Sequence, residues 1–390
     1  MLESKPFPHQ VYTSEPPRCP HHLLEPPSQP PIGSDEFRRR MRRVGAVYRG
    51  AGVAAVYLAH GTFIGPDALG ILGALARVFP AAAPPLRRLI KRLVDRVMGE
   101  AGNYTPAYAR LFEEALRQPD GWGVPVKLFY WSSENHHLGR ADGAVRLIDE
   151  LATLSLEPDQ RVLLFGHSHA GNVFALATHL LSGNSEDVER FFDAAAIYYR
   201  WPLVGCVDVP VFSRVQKLLA EGLLPFSGGN LDLVTFGTPI RYGWNASGYG
   251  RLLHFIYHRP SPGMPEYQAV FPPKLDDVFA AAGGDYVQQM GIAGTNVAPT
   301  PLAWRCFVAD RRLARLFEQD VGPAGLIERF RAGAIVPDAG TTLLVDYGPA
   351  EGHVAQHAAG HAVYTRPQWL LFHAEEVARR FYNNAQVRAA

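Results

Sequence analysis

RVLLFGHSHAGNVFALATHLL, residues 161–181, carries an apolar run into a glycine-flanked serine and out again into a second apolar run with helical spacing. RVLLFG reads as a buried strand and GNVFALATHLL as a buried helix, which places Ser168 on the turn between them. The same rhythm extends in both directions. VAAVYLAH (53–60), VKLFYW (126–131), LDLVTFG (231–237) and TTLLVDYG (341–348) are apolar runs that end in turn chemistry, and LLHFIYHRP (252–260) is a further candidate strand. PAYARLFEEALRQ, RADGAVRLIDELATL and, near the end, PQWLLFHAEEVARRFY read as helices. Strands that are apolar on both faces must be covered on both faces. The fold class predicted is therefore α/β, a mostly parallel twisted sheet flanked by helices with an insertion before the last strand. In such sheets ligands sit beyond the carboxyl ends of the strands, so the residues that follow each run are the ones to inspect.

The rest of the chain sets the frame. It has 390 residues, 47% of them hydrophobic and 19% charged, with a formal net charge of +1, which gives no global reason to expect a nucleic-acid partner. Cys19, Cys206 and Cys306 are odd in number and lack metal-ligand spacing, and the sequence shows neither a secretory leader nor a membrane-length apolar run. The expectation is a reduced, cytoplasmic chain without a metal or other cofactor. Residues 1–36 are too rich in proline for helix or sheet ladders and read as an extended or disordered arm. Residues 37–390 read as one domain, with a helical excursion near 66–120 and an insertion near 260–340 in which YVQQMGIAG (286–294) is a possible strand.

Gly166-His167-Ser168-His169-Ala170-Gly171 resembles G-x-S-x-G, with Ala170 standing at the second glycine position and Gly171 one residue later, and it has a strand before it and a helix after it. A sharp turn there pushes the serine hydroxyl above the sheet edge. It also leaves the backbone N–H of His169 pointing from the helix start toward any oxygen that becomes negative. A second such donor is offered by the turn His60-Gly61-Thr62-Phe63, where the N–H of Thr62 or Phe63 lies at the end of an early strand. The plain alternative for each motif is a turn with no chemical duty. The two together favour a nucleophile with an oxyanion site. In WSSENHHLGR, Ser132, Ser133, Glu134 and Asn135 could cap the next helix, Asn135, His136 and His137 could equally line a pocket, and adjacent histidines point apart, which disfavours a metal.

The stretches HGTFIGPDALG, FYWSSENHHLGRADGAVRLI, GHSHAGNVFAL, LVTFGTPIRYGW and GHAVYT together resemble the α/β-hydrolase superfamily, and more narrowly a group of bacterial lipase- or esterase-like proteins. That resemblance implies a serine ester hydrolase acting on lipid or other carboxylic esters, with the triad in chain order Ser, acid, His. It places the histidine between the last strand and the last helix. Of His353, His357 and His361 there, His361 is preferred because it follows a glycine and sits in GHAVYT. His167 is expected to pack beneath the turn and His373 to occupy a helix face or core position.

The acid departs from the pattern. GIAGTNVAP offers Asn296 and no carboxylate, and LLHFIYHRP ends in His258-Arg259. Asp346, at the tip of TTLLVDYG, stands first, with an equal case for a structural role capping the following turn. Asp285, Asp276 and Asp277 come behind it. Thioesterase or acyltransferase chemistry on the same machinery, and a non-catalytic binding or scaffold protein on the same fold, are the rival readings. PPLRRLIKRLVDRVMGE (84–100) sets an apolar stripe against a basic face; its core, 86–98, is a possible peripheral membrane contact or a lid, although such helices more often pack on their own domain.

Overall fold

In a computed structural model of the chain, which describes residues 7–8, 19–62, 102–201, 203–292, 296–297, 299, 303–318, 322–332, 336–350, 352 and 354–382, seven strands form a single parallel sheet. They are β1 (His21–Leu24), β2 (Val53–Ala59), β3 (Val126–Phe129), β4 (Arg161–His167), β5 (Leu231–Phe236), β6 (Arg251–Tyr257) and β7 (Thr341–Val345). Their order across the sheet is β1-β7-β6-β5-β4-β2-β3. The predicted α/β class holds, and every strand pair is parallel. Phe63, the 84–100 stretch and His353 lie outside the described residues.

Strand residues alternate between two apolar layers. Val162 and Leu164 of β4 join Leu233 and Tyr57 in one core, under the helices His137–Leu151 and Ala170–Leu180. Leu163 and Phe165 join Val234 and Phe236 in the other, under Asp35–Gly50, Pro106–Leu116 and Leu370–Val377. Burial on both faces is why these strands carry continuous apolar runs rather than alternating ones. The helices start where the chain supplies a cap. Ser34 Oγ accepts from Phe37 N at 3.2 Å, and Thr105 Oγ1 from Tyr108 N at 3.1 Å ahead of Pro106.

The strand order fixes where a site can form. From β2 the chain steps outward to β3, then returns to place β4, β5, β6 and β7 on the other side of β2. The order reverses between the carboxyl ends of β2 and β4, where Ala59 pairs with Gly166, the place at which sheets of this kind bind ligands. Gly61 and Ser168 are the residues just beyond.

Two expectations change. YVQQMGIAG is not a strand: Tyr286–Ile292 is a helix, because Oδ1 of Asp285 accepts from Gln288 N at 2.8 Å and caps its first turn. The proline-rich arm is extended where it is described. His21–Leu24 adds a parallel edge strand to β7, and Phe7 is fully buried against Phe317 and His179, with ring centroids 5.1 and 4.7 Å away.

Candidate functional site

Ser168 sits just past β4 with φ of +56°, the left-handed conformation that a side chain adopts only when its surroundings impose it. The end of β5 imposes it. Ser168 N donates to Phe236 O at 2.8 Å, and Thr238 Oγ1 donates to Ser168 O at 2.8 Å. The FGTP turn therefore clamps the serine from both sides of its peptide unit. Gly61 presses on it from β2: a Cβ on that glycine would lie 2.7 Å from Ser168 Cβ and 3.3 Å from Oγ. Among the described residues the N–H of His169 takes no backbone acceptor, and the bonded turn begins with Gly171 and Asn172. Gly61 and Ser168, paired in the sequence reading, are thus neighbours in space.

His361 is brought to the same place. The ring of His167, the residue before Ser168, lies 4.5 Å from the His361 ring, and its Nε2–H donates to the His361 carbonyl at 3.0 Å. Burial, and next the neighbouring His361, hold His167 well below the ordinary histidine value, so it acts here as a neutral brace. His167 does pack beneath the turn, but it also carries the C-terminal loop.

The carboxylate facing His361 is Asp285. Its Oδ2 lies 2.7 Å from His361 Nδ1 and 2.9 Å from the Tyr364 hydroxyl, and its side chain is fully buried. Tyr257 N donates to that hydroxyl at 2.8 Å, so the tyrosine proton is directed at Asp285. Three donors converge on one carboxylate, a group that only accepts. Gly237, with φ of +55°, makes the space, since a Cβ there would come within 2.6 Å of Asp285 Oδ2.

Asp346 does not take this position. It pairs with Arg259 at 3.1 Å and its Oδ1 accepts from Gly348 N at 2.9 Å, which is the turn-capping role weighed against it. Asp285 was harder to find because residues 258–284 separate it from β6 in sequence. Asp285 N donates to Tyr257 O at 3.0 Å and His258 bridges Gly284, so the excursion closes on itself and returns the acid to the carboxyl end of β6. The legible signal was the D-x-x-Q pattern at Asp285 and Gln288, a helix-start signature just past a pair of glycines.

His136, His137 and His373 have structural partners. His136 caps the helix His137–Leu151 by accepting from Gly139 N at 2.9 Å, and His137 Nδ1 meets the Tyr242 hydroxyl at 2.8 Å. His373 is buried in the core, 2.7 Å from the Tyr347 hydroxyl. Asn296 binds Arg140 and His137. Among the described residues no cluster of three or more histidine, cysteine or acidic side chains is arranged to hold a metal, and no helix is long and apolar enough to cross a membrane.

Chemically, the arrangement is a hydroxyl in a strained turn, an imidazole with its proton drawn to Nδ1 by a carboxylate, and a free backbone N–H beside the hydroxyl. Fold and site together describe an α/β protein in which Ser168 sits on the turn after β4 and a His361–Asp285 pair packs against the preceding residue, His167. The chain matches no protein-family model, no curated protein and no solved structure.

Proposed function

We propose that the protein is a serine hydrolase of carboxylic esters, with Ser168 as nucleophile, His361 as general base and acid, and Asp285 as the group that orients the imidazole. The observation that carries this reading is the 2.7 Å contact between His361 Nδ1 and Asp285 Oδ2 on a loop braced against His167. With the proton on Nδ1, Nε2 holds the lone pair that a base requires. Ser168 Oγ attacks the ester carbonyl carbon and its proton passes to His361 Nε2. The carbonyl oxygen takes the negative charge, facing the N–H of His169 and a donor from the Thr62 turn. Collapse breaks the bond to the alcohol, which leaves with the proton from His361. Water then attacks the acyl-serine, gives its proton to the same nitrogen, and the acid departs as Ser168 is restored.

No cofactor enters this scheme. Lipid or other acyl esters are the substrate class, from the resemblance of the motifs to lipase-like proteins. The absence of a disulfide among the described residues agrees with a reduced, cytoplasmic setting. A fluorophosphonate probe tests the reading. Labelling of the wild type that disappears in Ser168→Ala is expected, together with turnover of chromogenic acyl esters. A folded wild-type protein that neither labels nor hydrolyses any ester would instead be a binding or scaffold protein on this fold.

A further inference from the structure

His169 is held by partners whose roles leave no freedom. The backbone N–H of Arg241 can only donate, and it reaches Asn172 Oδ1 at 3.0 Å. The Pro239 carbonyl can only accept, and it takes Asn172 Nδ2 at 2.7 Å. The amide is therefore fixed with its NH2 group toward His169, whose Nδ1 is 3.0 Å from Nδ2. Arg140 Nη1, another obligate donor, lies 3.4 Å from the same nitrogen. Two donors facing Nδ1 require a lone pair there, so the ring proton is on Nε2. His361 is the reverse case, with a carboxylate at Nδ1 and a lone pair on Nε2. One imidazole beside Ser168 is built to accept a proton, the other to donate a hydrogen bond.

Among the described residues nothing consumes that donor: His169 Nε2 has no hydrogen-bond partner there, although the residue is buried. Nor is it needed for the scissile carbonyl, which the backbone N–H groups already serve. Arg140, itself fully buried, ties its guanidinium to Tyr242, Asn135 and Asn296 as well, which fixes its position behind the ring. Burial first, then the charges of Arg140 and Arg241, hold His169 well below the ordinary histidine value, so it remains a neutral donor.

Resting on the hydrolase reading, we propose that His169 Nε2–H binds substrate and that the site prefers esters carrying a second acceptor oxygen, as an ether, hydroxyl or carbonyl, close to the scissile bond. A plain alkyl chain would bury this donor unpaired, a loss of about 10- to 100-fold in rate.

The test uses ester pairs that exchange one CH2 for oxygen: p-nitrophenyl butyrate against p-nitrophenyl methoxyacetate, and butyl acetate against 2-methoxyethyl acetate. Rates are normalised to alkaline hydrolysis. The wild type is expected to prefer the oxygen-bearing member of at least one pair by about tenfold or more in kcat/KM. His169→Phe should abolish the preference, and His169→Gln, which sets an amide N–H near the Nε2 position, should retain it. Absence of the preference in the wild type, or its survival in His169→Phe, overturns the proposal. Fluorophosphonate labelling of each variant separates the two readings: labelling without preference removes only the role of His169, while no labelling in the wild type removes the hydrolase as well. Nitrogen-15 spectra of the imidazoles give a readout apart from turnover, with the Nε2–H form of His169 expected at pH 7 and an Nδ1–H or cationic ring overturning it.

Discussion

At the scale of single residues, Asp285 and Asp346 are two aspartates near the ends of neighbouring strands with opposite duties. Asp285→Asn keeps the helix cap, since asparagine caps as well as aspartate, but it presents an amide to His361 and disturbs the tautomer. Turnover of a chromogenic ester is expected to fall by about 10³–10⁴, with the thermal transition nearly unchanged. Asp346→Asn, which touches Arg259 and Gly348, should leave turnover within a few-fold of wild type. If the two variants lose activity in the reverse order, the assignment of the acid is wrong. Ser168, His169 and His361 were legible as residues because their motifs are local. Asp285 stood only behind Asp346, because its neighbourhood in space is made by a loop that returns.

Among the elements, the turns after β2 and β5 do the positioning. Gly61 touches the serine and Gly237 the acid, and in each case the missing Cβ is the space the other group occupies. Gly61→Ala is expected to displace Ser168 and reduce ester turnover by about 100-fold, the usual effect of misplacing a reacting atom by an ångström. Ordinary rates in that variant would show that the β2 turn does not bear on the serine. The helix Tyr286–Ile292 shows where periodicity misleads. Its short run with Tyr, Val and Ile reads like a strand, yet Gln288 and Gln289 are buried and the cap at Asp285 decides the outcome. A capping carboxylate is a local signal, but its strength is visible only once Tyr257, Gly284 and His361 surround it.

Over the whole molecule, burial of neutral histidines ties stability to pH. Burial pulls His179 and His258 down to about 4 and His373 to about 3, against 6.5 for the free side chain. Below 6.5 the unfolded chain binds protons that the folded chain refuses, so stability is complete above that pH and is lost on acidification toward 4. Between pH 7 and pH 5 each of the three should remove roughly 2 kcal/mol. The urea midpoint should fall accordingly, and an unchanged midpoint would contradict the neutral state of these rings. The amino-terminal arm contributes as well. Phe7→Ala should cost about 3–5 kcal/mol in denaturant unfolding, because a fully buried ring packed between Phe317 and His179 leaves a cavity.

From the sequence by itself came the alternation of strands and helices, the double-faced sheet, and the turn that carries Ser168, since each is written in neighbouring residues through periodicity and turn chemistry. Only the tertiary structure decided which carboxylate meets His361, that the proline-rich arm donates an edge strand and a core phenylalanine, and that Asn172 and Arg140 face Nδ1 of His169. Those outcomes depend on groups far apart along the chain that share a few ångströms of space, and hydrogen-bond direction and burial act there on distances that linear spacing does not encode.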